Sequence, residues 1–138
     1  GTHIVALGES LGGAVAVELA LRVPLGGLIL QSTFTSIPDI GAELFPWLPV
    51  RRISTIRYDT LSKLPRLRLP VLVMHGRADS IVGFHHGQKL FAAANEPKTF
   101  VELSSDHNDT LFTDPQGYRE AVNRFLGTLD DAKAGARR

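Results

Sequence analysis

An α/β fold, a parallel sheet with helices on both faces, is predicted by three features of the sequence. Four short apolar runs, residues 3–7, 27–31, 71–75 and 99–103, are continuous rather than alternating, as strands covered on both faces require. Stretches of helical periodicity separate and follow those runs, and strand–helix alternation builds parallel sheets through crossover connections. The first run ends in Gly8-Glu9-Ser10-Leu11-Gly12, a GxSxG placed where a strand would turn into a helix.

The first run, Ile4-Val5-Ala6-Leu7, is rich in β-branched and apolar residues and reads as a strand. Residues 11–22 are apolar nearly all round, which predicts a helix sandwiched in the core and stopped by Pro24 and Gly26. A second strand follows at 27–31. The segment 33–70 breaks the rhythm: it holds Pro38, Pro46, Pro49, Pro65 and Pro70 among many apolar residues. It is too long for a plain crossover and too apolar for a disordered linker, so short helices over one sheet edge are expected. After the third strand, Gly87, Leu90, Phe91 and Ala94 mark one face of a helix ended by Asn95 and Pro97. Beyond the fourth strand, Asp114 reads as a helix N-cap with Pro115 in the first turn, and Tyr118, Val122, Phe125, Leu126 and Leu129 form one stripe. Residues 130–138 are small and charged, the pattern of a frayed tail.

Composition narrows the partners. The 138 residues suit one domain, and 43% apolar with 21% charged residues is an ordinary globular balance. A net charge of +1 gives no electrostatic case for nucleic acid as a partner. No run of about 18 apolar residues is present to form a membrane-spanning helix. Lack of cysteine excludes disulfides, thiolate metal sites and a cysteine nucleophile, and it fits a cytoplasmic location. The sequence opens on Gly1-Thr2-His3, with neither methionine nor signal peptide, and runs straight into a strand; a piece of a longer gene product is expected.

At a strand-to-helix elbow a serine is a candidate nucleophile. Side chains at Gly8 and Gly12 are expected to collide with the crossing strand and helix. The helix after Ser10 places its positive end beside the hydroxyl, and Leu11 N–H is the natural first oxyanion donor. A phosphate-binding P-loop is excluded, since it needs Lys then Ser or Thr after its last glycine and Gly13 is followed by Ala14. A serine needs a base, and the base needs a carboxylate to orient it. Asp79 and His107 stand just beyond the third and fourth strands, and in a parallel sheet the carboxyl ends of all strands open on one edge. Asp79 has a competing reading as a cap for a helix near Phe84. Asp106 and Asp109 are rival acids, but each is too close in sequence to His107 to sit across its ring, so a role in shaping the loop is expected.

Taken together these motifs resemble the serine α/β-hydrolases, in particular the branch of depalmitoylating abhydrolase-domain proteins and their bacterial relatives. The resemblance rests on residues 4–13, on His75-Gly76-Arg77-Ala78-Asp79 and on Asp106-His107-Asn108-Asp109. Ser32-Thr33-Phe34-Thr35-Ser36-Ile37-Pro38 and Arg57-Tyr58-Asp59-Thr60-Leu61 are similar to that branch's link into its lid region. It covers residues 4–129 and departs at Gly83, where many relatives carry proline.

The resemblance implies Ser10 as nucleophile, Asp79 as acid and His107 as general base, with no cofactor and a small-molecule acyl ester or thioester as substrate. It also implies that the four strands are the fifth to eighth of a larger sheet. Residues 1–129 would then be the C-terminal half of an α/β-hydrolase domain, with a lid-like region at about 33–70 and a flexible tail at 130–138. A second oxyanion donor, and any membrane association, would come from an N-terminal region outside this sequence. Residues 4–7 would form an apolar sheet edge open to self-association. Two other readings stand beside hydrolysis of esters: a prolyl-oligopeptidase-like peptidase, and a non-catalytic binding or assembly module.

The remaining candidates carry less. Phe34, Phe45 and Trp47, with Leu44 and Leu48, suit either an acyl pocket or core packing. His85 and His86 are adjacent, so their side chains are expected to diverge, and no metal site is predicted. Arg51, Arg52, Arg57, Lys63, Arg66 and Arg68, opposed by Asp59, read as a solvated face in preference to a surface for anionic lipid or an acidic substrate.

Overall fold

The computed structural model of the chain describes residues 4–135. Its four strands, β1 (Val5–Glu9), β2 (Gly27–Gln31), β3 (Val71–Gly76) and β4 (Lys98–Leu103), form one sheet in the order β1-β2-β3-β4. Every pairing is parallel. The first strand was expected from residue 3, and His3 lies outside the described residues. The register aligns Glu9 with Gln31, Gln31 with Met74, and Gly76 with Leu103, so the loops after all four strands open on one edge.

The continuous apolar runs have a direct cause. Leu28 and Leu30 of β2 and Val71 and Val73 of β3 point into one core with Ala16, Val17, Leu64, Leu67, Leu90 and Ala94. The intervening Ile29, Leu72 and Met74 point into a second core with Leu103, Ala121, Phe125 and Leu129. Both faces of the central strands are therefore dry, and each fully buried Leu, Val or Met side chain contributes about 1.5–3 kcal/mol.

The first core is closed by α1 (Leu11–Arg22), α4 (Thr60–Lys63) and α5 (Phe84–Ala93). The second is closed by α7 (Pro115–Gly135), whose N-cap Asp114 accepts a 2.9 Å hydrogen bond from Gly117 N–H. That helix continues six residues past Leu129, where a tail was expected to begin; helical geometry carries Asp130 to Gly135, and residues 136–138 lie outside the described residues.

The segment 33–70 does contain short helices: α2 (Ile37–Leu44), α3 (Val50–Ile53), α4 and a 3₁₀ turn at Leu64–Arg66. They do not all cover a sheet edge. Leu64 and Leu67 are buried in the first core, which draws α4 into the helical layer between α1 and α5. Its basic residues are also better opposed than expected, since Arg51 pairs with Asp39 and Lys63 with Glu18.

A second difference concerns α1. It was expected to be buried all round, yet only Gly13, Ala14, Ala16 and Val17 are buried, while Leu11, Val15 and Leu19 are exposed. One face packs on β1 and β2, and among the described residues the outward face has no covering element. β1 is correspondingly an edge strand, with Ile4 64% and Leu7 49% exposed. A cleft of about 560 Å³ lies along this outward face, lined in part by Ala14, Leu19, Ile56 and Tyr58. Among the described residues no helix is long and apolar enough to cross a membrane.

Candidate active site

Ser10 lies at the turn between β1 and α1 with φ 51° and ψ −120°, a left-handed conformation for a residue that has a side chain. Such a backbone costs about 1–3 kcal/mol and persists only where its surroundings fix it. Here Ser10 N–H donates to the Gln31 carbonyl at 2.9 Å, and Gly13 N–H donates to the Ser10 carbonyl at 3.1 Å. A Cβ at Gly8 would fall on the Gly12 carbonyl, and one at Gly13 on the Thr33 side chain. A Cβ at Gly12 would meet no atom of the described residues within 4 Å. The expected collision at Gly12 is thus corrected: Gly8 and Gly13 are the glycines that close approach demands. Leu11 N–H is the first amide of α1, and helix geometry offers no carbonyl to that first turn, so the donor stays available beside Ser10.

The loop after β3 carries Asp79 and the loop after β4 carries His107. His107 Nδ1 donates to Asp79 Oδ2 at 2.8 Å, and His107 Nε2 lies 3.1 Å from Ser10 Oγ. Because a carboxylate only accepts, the proton of neutral His107 resides on Nδ1, and the Nε2 lone pair faces the serine hydroxyl. Asp79 Oδ1 is held by Ile81 N–H at 3.0 Å and Val82 N–H at 2.7 Å. Burial alone would raise the Asp79 carboxyl. The His75 imidazole 3.4 Å away and hydrogen bonds from His107, Val82 and Ile81 outweigh that and bring its pKa down to about 2. Asp79 does not cap α5, whose N-cap is Gly83.

Sequence reasoning missed the ties that hold these two loops together. Asp106 Oδ1 accepts from Ser80 N–H at 2.8 Å, from Ser80 Oγ at 2.8 Å and from His107 N–H at 2.7 Å. Asp109 Oδ1 accepts from Asp106 N–H at 2.9 Å. Asp106 therefore bridges the loop that bears Asp79 to the loop that bears His107, and Asp109 folds the latter. Neither residue is the hydrogen-bond partner of the His107 ring.

The expected apolar pocket residues divide. Phe34 is buried with Ile40 and Val82, which is core packing. Phe45 and Trp47 stand on the surface, edge to face with centroids 6.1 Å apart, and Trp47 is 77% exposed. A small cavity of about 150 Å³, lined by Ser80, Ile81, Asp106, His107, Asn108 and Asp109, opens beside His107.

His85 and His86 correct a second expectation. Their rings do not diverge: the centroids are 4.4 Å apart, and both reach the Glu43 carboxylate, at 2.8 and 2.9 Å. The physical reason is that Glu43, at the end of α2, offers one oxygen to each neighbour on the first turn of α5. Among the described residues these three have donor atoms close enough together for a metal ion. The hydrogen bonding disfavours that use. Thr35 N–H donates to His86 Nδ1 at 3.1 Å, which leaves the ring proton on Nε2, directed at Glu43. The cluster fits a clasp between α2 and α5.

These groups give stability a defined pH dependence. Burial outweighs the Glu43 carboxylate and lowers the pKa of His86, so the folded state is penalised as pH falls through the ordinary imidazole range near 6.5. Asp79 is lowered as well; its contribution is complete above the unfolded carboxylate value near 4 and is lost as pH falls toward 2. Thermal melts followed by circular dichroism should show Tm falling in two stages, between about pH 7 and 5 and again below about pH 4. A Tm that is flat across the first interval would contradict the assignment for His86.

No family model matches the chain. An uncharacterised protein of Mycobacterium tuberculosis (strain ATCC 25618 / H37Rv) is 42% identical over 125 residues, covering 90% of this chain and 44% of that protein. The α/β-hydrolase domain-containing protein WAV2 of Arabidopsis thaliana is 33% identical over 144 residues, covering 91% of this chain and 47% of that protein. The chain spans about half the length of the curated relatives it matches. Among solved structures, an esterase of Pyrococcus furiosus superposes with a TM-score of 0.72 at 19% identity, over 91% of this chain and 53% of that one. By its parallel sheet and the fold it shares with that esterase the chain has the α/β-hydrolase fold, and in sequence it is similar to an α/β-hydrolase domain-containing protein.

Proposed function

We propose that the chain carries the reacting side chains of a serine hydrolase that cleaves carboxylic esters or thioesters through an acyl-enzyme. One observation supports the reading above all others: an unbroken path from Ser10 Oγ through His107 Nε2 and Nδ1 to Asp79 Oδ2, at 3.1 and 2.8 Å. Kinship with a hydrolase domain-containing protein and a fold shared with esterases agree with it.

In this mechanism Ser10 Oγ attacks the carbonyl carbon while His107 Nε2 takes its proton. Negative charge gathers on the carbonyl oxygen beside Leu11 N–H, at the positive end of α1. His107 passes its proton to the leaving alcohol or thiol as the carbon–oxygen or carbon–sulfur bond breaks. Water then repeats the cycle on the acyl-enzyme, giving up a proton to His107 and releasing Ser10 and the acid. Asp79 stays ionised throughout, fixes the His107 tautomer and stabilises the imidazolium.

The experiment is fluorophosphonate labelling of the purified full-length protein, with the modified peptide identified by mass spectrometry. A panel of nitrophenyl esters, acyl thioesters and peptide anilides is assayed beside it. Adduct on Ser10 and turnover of esters or thioesters are expected. An unreactive Ser10 would sink the reading, and faster turnover of peptide anilides would move it to peptidase chemistry.

A further inference from the structure

We propose that His75, the penultimate residue of β3, is a positioning residue for Asp79. The inference rests on the serine-hydrolase reading and extends it to a buried imidazole which that mechanism does not use. His75 is fully buried. Its Nε2 lies 2.7 Å from the Val82 carbonyl oxygen, which can only accept, so Nε2 carries the ring proton. The same N–H lies 3.4 Å from Asp79 Oδ2, the oxygen that also receives the His107 proton. Asp79 Oδ2 thus sits between two imidazoles while Oδ1 is held by two backbone N–H groups. The His75 N–H touches both ends of the turn 79–82: the carboxylate where it starts and the carbonyl where it closes.

The other side of the ring argues against a merely space-filling role. Among the described residues His75 Nδ1 is buried with no hydrogen-bond partner. Gly87 packs so closely that a Cβ there would come within 2.7 Å of Nδ1, and the Phe84 ring stands edge-on at 5.9 Å. An orphaned buried nitrogen destabilises the fold, and an apolar residue at this position would avoid it. What an apolar residue would lack is the Nε2 N–H. Of the titratable groups here, Asp79 is the one against this N–H, His107 meets the same carboxylate oxygen, and Arg77 lies over the Phe84 ring at 5.1 Å.

The test compares the purified protein with His75→Gln, His75→Asn and His75→Leu, reading the fluorophosphonate labelling rate of Ser10 against pH together with Tm. A glutamine amide reaches the place of the imidazole Nε2, whereas asparagine stops at that of Nδ1. Expected for glutamine is a rate within about threefold of wild type and an unchanged pH midpoint. For asparagine and leucine the expected rate is lower by about tenfold to a hundredfold, and the midpoint moves up by about half a unit to one, because a carboxylate without the polar N–H of His75 3.4 Å away interacts more strongly with the His107 N–H. Should leucine prevent folding, the glutamine–asparagine pair decides, since the two differ in reach and share the same chemistry. A lowered Tm with an unmoved midpoint in asparagine would overturn the proposal and leave His75 a packing residue. Unlabelled wild-type protein would overturn the serine-hydrolase reading and this proposal with it; labelled wild type beside an unaltered asparagine variant overturns this proposal alone.

Discussion

Ser10→Ala is expected to lower kcat for the best ester substrate by about 10⁶-fold with KM little changed. The size follows from how the site works as a unit. Without Oγ there is no atom to form the acyl-enzyme, and the lone pair on His107 Nε2, 3.1 Å away, has no proton to take. Residual rate would come from substrate binding and the Leu11 donor, acting on water in place of serine. The loss should also be non-additive: combining Ser10→Ala with His107→Ala should cost little more than either alone. Steady-state rates, checked by absence of an acyl-enzyme burst, measure both effects. A variant that kept more than about a thousandth of the activity would place the nucleophile elsewhere.

The sheet was legible because its signal is written in many residues at once. Gly27 to Gln31 is buried at every position, and a strand with two dry faces has no choice but to be apolar throughout. The meeting of Ser10, Asp79 and His107 was legible for a related reason, since parallel strands bring all their following loops to one edge. What the sequence hid depends on neighbours distant along the chain. The apolar outward face of α1 is the same string of letters whether or not something covers it. Gly12 and Gly13 are indistinguishable as letters, and only the position of Thr33 makes the second indispensable. Helical spacing predicts that His85 and His86 part company, but the two oxygens of Glu43, about forty residues away, draw them together. The Asp106 bridge and the His75 N–H were invisible because each joins loops through single polar atoms that leave no periodic trace.

Asp79→Asn is the second large expectation, a fall in kcat of about 10⁴-fold. The amide cannot imitate the carboxylate because its orientation is already determined. Two backbone N–H groups, of Ile81 and Val82, donate to Oδ1, so the asparagine oxygen must stay there and its NH₂ must take the Oδ2 position. That NH₂ then meets His107 Nδ1, where a hydrogen points at the carboxylate in wild type. Two donors cannot face one another, so His107 moves its proton to Nε2 and presents a hydrogen to Ser10 Oγ in place of a lone pair. The imidazole keeps its position and loses its function as a base. KM should change little, since Asp79 is buried behind His107. A loss smaller than about tenfold would show that Asp79 does not set the tautomer. The same variant carries an independent check: asparagine has no charge to lose, so the lower of the two acid transitions in Tm, below about pH 4, should shrink while the upper one, assigned to His86, remains.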